Sequence, residues 1–134
     1  MDKYTFEDYL KEPRSLSLDR MMELHRQLMA EVGDDPDAEE LYAALLEEAT
    51  EYAEIRASWP LMSREDRMAK DPSRTAHHNS VISHYDMLAR LLRRQGKTAD
   101  WREELGDEKA DRYFRKTMGD FACFLVFINS LMAR

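Results

Sequence analysis

Residues 34–57 read DDPDAEELYAALLEEATEYAEIRA, and this stretch decides the fold class. Asp35 ahead of Pro36 marks a helix start: the aspartate side chain accepts from the first free backbone N–H groups, and proline at the first helical position gives up nothing by lacking its own. Asp37, Glu39 and Glu40 place negative charge at the positive end of the helix dipole. Beyond them Leu41, Tyr42, Leu45, Leu46, Ala49, Tyr52 and Ala53 recur at three- and four-residue spacing, with Glu39, Glu40, Glu47, Glu48, Glu51 and Glu54 largely opposite. The pattern predicts an amphipathic helix reaching about Ala57, ended by Trp59-Pro60.

The same grammar extends in both directions. Upstream, Thr5 caps a short helix with Phe6, Tyr9 and Leu10 that Pro13 ends. Ser15 or Ser17 then caps a segment whose stripe is Leu18, Met21, Met22, Leu24, Leu28, Met29 and Val32, closed by Gly33. Downstream, Trp59 to Ser73 reads as the longest irregular connection, with at most a single helical turn at Ser63-Arg64-Glu65-Asp66 before Asp71-Pro72. A third long helix from about Arg74 to Gln95 buries Val81, Ile82, Tyr85, Leu88, Ala89 and Leu92 and stops at Gly96. A short helix spans Trp101 to Leu105, and Asp107 caps a last helix that reaches nearly to Arg134.

That last helix is apolar all round from Phe121 to Met132, so it is expected to be either the central element of the core or part of a dimer interface. Gly119 inside it marks close helix approach, because glycine there otherwise costs about 1 kcal/mol relative to alanine. Asp120, its neighbour, needs a partner if buried, and Arg90 or His84 is expected to supply it. No stretch alternates like a strand, and Val and Ile together number six. The expected fold is all-α: a single domain over residues 1–134, an antiparallel helical bundle of four longer helices with two or three short ones.

Composition narrows the function classes. The chain has 134 residues, 43% of them apolar, with 4 Gly and 4 Pro, which excludes collagen-like and Pro-rich chains. Net charge is −7, but it divides unevenly: 8 Lys/Arg against 18 Asp/Glu up to residue 67, and 12 against 9 after it. Acidic and basic helices that neutralise one another explain the division; a local anion-binding face on the second half is the sharper reading. The overall charge disfavours nucleic acid as a partner. Cys123, the one cysteine, lies in the apolar run FACFL and permits no internal disulfide, so a cytoplasmic, non-membrane protein is expected.

Three constellations stand out. Arg74, His77 and His78 occupy what reads as the first turn of the third long helix, where backbone N–H groups favour a phosphate or carboxylate. His77 and His84 are seven residues apart, about 10 Å along a helix, too far to share a metal ion. Glu47-Glu48-Ala49-Thr50-Glu51 and Glu108-Lys109-Ala110-Asp111 form the second. They resemble the EExxE and ExxD motifs of all-α nucleotide pyrophosphohydrolases of the MazG and dimeric dUTPase type, and the resemblance implies Mg²⁺ held by Glu48, Glu51, Glu108 and Asp111. Here 56 residues and a whole long helix separate the two motifs, which are consecutive in that family, and a solvated acidic face explains the same glutamates. Third is a basic strip of Arg90, Arg93, Arg94, Lys97, Arg102, Arg112, Arg115 and Lys116, readable as dipole-stabilising cations or as the surface of a nucleic-acid accessory factor.

Residues 77–134, through HYDMLAR, WREELG and GDFAC, also resemble a group of short uncharacterised bacterial helical proteins, a domain of unknown function. That resemblance implies a small cytoplasmic helical fold and no activity. No nucleophile elbow, dinucleotide glycine motif, phosphate-binding loop or CxxC pair occurs. The expectation is therefore a helical interaction protein without catalytic activity or cofactor, recognising another protein or an acidic ligand, with a homodimer through the last helix.

Overall fold

The computed structural model describes residues 16–106 and 112–132. These form α1 (Leu18–Val32), α2 (Pro36–Ser58), a 3-10 turn (Trp59–Leu61), α3 (Arg64–Arg94), α4 (Asp100–Leu105) and α5 (Arg112–Met132), with no strand among them. The helix expected from Thr5 to Pro13 and the Asp107 cap lie outside the described residues. No described helix is long and apolar enough to cross a membrane.

The punctuation operates as the side chains dictate. Ser17, rather than Ser15, caps α1 by accepting from Arg20 N, and Gly33 ends it at a φ of +52°. Asp35 accepts from Ala38 N at 2.8 Å with Pro36 opening α2, a cap worth about 1 kcal/mol. α2 and α3 pack antiparallel: Gln95, just past the end of α3, reaches the Asp35 cap of α2 at 3.0 Å, while Tyr52 late in α2 meets His78 in α3. α5 runs against α2, with Asn129 bonded to Tyr42 and Asp120 paired with Arg56, and alongside α3, with Tyr85 donating to Met118 O. Apart from Met22, which is exposed, the stripes named from sequence meet in one core, in which Leu24, Leu28, Leu45, Tyr85, Leu88, Leu92, Trp101, Phe121 and Phe124 are fully buried. Thr117 to Leu125 of α5 is buried within its own chain.

One expectation is overturned. Trp59 to Ser73 is not an irregular connection: after the 3-10 turn, Ser63 caps α3 through Asp66 N, and the helix continues through Pro72 for 31 residues. A proline inside a helix forfeits one backbone bond and costs about 3 kcal/mol. Contacts behind it offset the loss. Arg67 Nε donates to Trp59 O at 2.9 Å, Asp71 bonds Arg74, and the Arg74 guanidinium lies 4.1 Å above the Trp59 ring. The turn is thereby folded back onto the start of α3.

A single carboxylate joins α1 to the α3–α4 connection. Glu31 accepts from Trp101 Nε1 at 2.8 Å and from Ala99 N at 3.1 Å, and its carbonyl accepts from Lys97. Ala99, buried, holds a left-handed φ of +52°, a conformation that alanine adopts only when its surroundings impose it.

Candidate functional site

The folded-back turn is one wall of a cavity of about 460 Å³. Tyr52 and Arg56 come from the end of α2, Trp59 and Pro60 from the 3-10 turn, Arg74, Thr75 and His78 from α3, and Arg115 and Lys116 from α5. Four cationic side chains from three helices therefore converge on one hollow, each placed by one turn or less of offset from a core residue. Arg56 is next to Ile55, Arg115 and Lys116 precede buried Thr117, and Arg74 precedes buried His78 by one turn.

Asp120, which pairs with two of the cavity's cations, has no exposed surface. Neither residue expected to pair with it does so: Arg90 is exposed on α3, and His84 Nδ1 lies 2.7 Å from Ser80 O. The pairing falls to Arg56, 2.6 Å away across the α2–α5 interface, and to Lys116 one turn back on α5 at 3.2 Å. The reason is orientation. Asp120 sits on the side of α5 that faces α2, and Arg56 also reaches Cys123 Sγ at 3.7 Å one turn further along.

His78 is fixed by two contacts that require its neutral form. Nε2 lies 2.8 Å from Arg115 O and can only donate to it, while Nδ1 lies 3.1 Å from the Arg115 guanidinium and can only accept. Burial, first, and the charges of Arg115, Arg56 and Arg74 hold its pKa below the ordinary histidine value, against the bond to Arg115 O. Arg115 Nη2 also donates to Asn79 Oδ1 at 3.0 Å, and no carboxylate pairs with Arg115 among the described residues. Tyr52 is 8% exposed, and burial raises its pKa, so it presents a neutral phenol. Tyr52 lines the cavity, and its hydroxyl has no hydrogen-bond partner among the described residues.

Gly119 makes this geometry attainable. A Cβ there would stand 2.7 Å from the Tyr52 hydroxyl oxygen and 3.1 Å from His78 Nε2, so only glycine lets α5 come this close to α2 and α3. This is the close approach expected from its place in an apolar helix.

A second hollow, on the other side of the α2–α3 seam, is lined by Glu47, Glu48, Glu51, His77 and His84. His77 Nδ1 lies 2.8 Å from Glu48. Of the expected anion-binding set, Arg74 and His78 thus share the cationic cavity, and His77 belongs to the acidic hollow. α3 begins ten residues before Arg74, so these residues do not occupy a helix N-terminus. Glu48 and Glu51 line the acidic hollow, while Glu108 and Asp111 lie outside the described residues. Among the described residues no group of three or more His, Cys, Asp or Glu could hold a metal ion.

The basic strip is divided among several tasks. Arg93 bonds Thr98 O and Glu103, Lys97 bonds Glu31 O, and Arg102 pairs with Asp86 at 2.6 Å and caps α4 through Gly106 O. Arg90 and Arg94 are exposed. Arg115 and Lys116 turn to the cavity. Sequence reasoning passed over Tyr52, Arg56 and Trp59 as ligands, since each also fits a core or helix-end role; Trp59-Pro60 beside an arginine-rich segment was the available signal. No family model matches this chain, and no curated protein and no solved structure matches it significantly.

Proposed function

We propose that this protein is a binding protein without catalytic activity, which holds an acidic ligand in the cationic cavity. The observation that carries the reading is the convergence of Arg56, Arg74, Arg115 and Lys116 on a hollow lined also by Tyr52, whose hydroxyl has no hydrogen-bond partner among the described residues. A buried hydroxyl without a partner costs about 1–3 kcal/mol, and a bound anion accepts that bond. An arginine fork not matched by a carboxylate is built to grip an oxyanion in two places. The cavity volume lies within the ~300–1,000 Å³ usual for small-molecule sites.

The same reading takes the four longer helices as one antiparallel bundle in the cytoplasm. It assigns a second copy of the chain, if one docks through α5, to Val126, Phe127 and Ile128, which are only partly buried.

Titration calorimetry of the full chain with phosphate and citrate tests the proposal. Binding that weakens at least tenfold in Arg115→Ala supports it; no heat with either anion refutes it.

A further inference from the structure

Resting on the acidic-ligand reading, we infer that the cavity takes a phosphomonoester carried on a flat aromatic body, of which a mononucleotide is the simplest soluble example. The donor set argues for phosphate over carboxylate. Tyr52, Arg74, Thr75, Arg115 and Lys116 line the hollow, each with a side chain able to donate a hydrogen bond. A carboxylate brings two oxygens to such a ring of donors. A phosphomonoester brings three terminal oxygens and nearly two negative charges.

The apolar lining argues for an aromatic body. Trp59, Pro60 and Tyr52 contribute apolar surface to the hollow, and the Arg74 guanidinium carbon lies over the Trp59 indole, 4.1 Å from the ring centroid. Indole and guanidinium faces are both surfaces on which a flat heterocycle stacks. Arg74 is 39% exposed while it holds Asp71 at 2.9 Å. The hollow of about 460 Å³ is also far larger than a bare phosphate fills. Cationic donors and flat apolar surface in one hollow match a ligand that carries a phosphate on a ring-bearing body.

The test titrates the full chain with adenosine 5′-monophosphate, adenosine, inorganic phosphate and citrate, followed by calorimetry and by tryptophan fluorescence. Trp101, the other tryptophan, has no exposed surface and supplies a constant background. The monophosphate is expected to bind at least tenfold more tightly than adenosine or inorganic phosphate and to quench Trp59. Trp59→Phe should abolish the quenching and weaken binding only several-fold, and Arg115→Lys, which keeps the charge and loses the fork, should weaken it about tenfold. Inorganic phosphate binding as tightly as the monophosphate, without quenching, overturns the aromatic body. Adenosine binding as tightly overturns the phosphate. Citrate binding where neither phosphate compound binds overturns the ligand class but leaves the acidic-ligand reading standing, and silence with every anion overturns both.

Discussion

Replacing Gly119 by alanine sets two effects of opposite sign against each other. Helix propensity favours alanine by about 1 kcal/mol in a helix interior. Against that, the new methyl would lie 2.7 Å from the Tyr52 hydroxyl oxygen, and 3.1 and 3.2 Å from His78 Nε2 and Cδ2. None of these atoms is free to yield. The His78 ring is held at both nitrogens by Arg115, and the Tyr52 ring stands edge-on to it with centroids 5.1 Å apart. Overpacking of this kind costs about 1–3 kcal/mol, so a middle value exceeds the propensity gain and Gly119→Ala should lose about 1 kcal/mol, or about 4 °C in Tm. Urea unfolding followed by far-UV circular dichroism measures it. The reasoning also predicts coupling. Tyr52→Phe removes the nearest atom, so Gly119→Ala made in that background should be close to neutral. An alanine variant more stable than the parent chain, or one equally destabilised with and without the Tyr52 hydroxyl, would refute the steric account.

The remaining predictions concern polar contacts. His25 and His78 have pKa values lowered, in both cases chiefly by burial, so the unfolded chain takes up protons before the folded one. Their contribution to stability is complete above the unfolded value near 6.5 and is lost as pH falls from there toward the folded values; the urea midpoint should drop between pH 7.5 and 5.5, and a flat profile would count against it. Asp120→Asn breaks the pairing of a fully buried carboxylate and should cost about 3 kcal/mol, whereas Arg90→Ala and His84→Ala should each cost under about 1 kcal/mol in the same assay; equal losses would contradict the observed pairing. Glu31→Ala strands the buried Trp101 indole N–H and the Ala99 amide and should cost about 2–3 kcal/mol with a change in near-ultraviolet circular dichroism, while Glu31→Gln, keeping one acceptor, should lose less.

The helices were legible in the sequence because their determinants are local. Ser17, Asp35 and Ser63 announce starts, Gly33 and Gly106 announce ends, and the stripe from Val81 to Leu92 is buried residue for residue. Pro72 shows where local grammar yields: Asp71-Pro72 reads as a break, yet Arg67 and Arg74 clamp the preceding turn and carry the helix through it. The site was less legible for a related reason. Asp120 demanded a cation, and the sequence held twelve arginines and lysines after residue 68 that compete with Arg56 for that role. Choosing among them requires knowing which face of α5 looks toward α2, and that is settled by packing rather than by spacing. Arg74 and His78 stood out as neighbours in sequence, but their companions in the cavity come from α2 and α5.

That the cavity wall is drawn from positions 52 to 116 has a consequence for assembly. No contiguous fragment shorter than that interval contains the site: a chain ending before α5 lacks Arg115 and Lys116, and one beginning after α2 lacks Tyr52 and Arg56. Contacts so remote in sequence form only after the intervening chain has been ordered. An occupant therefore recognises α2, α3 and α5 already docked, and by mass action a hundredfold excess over Kd would add about 2.7 kcal/mol to that docked state alone. Occupancy and completion of the fold are then a single equilibrium, read at its last step.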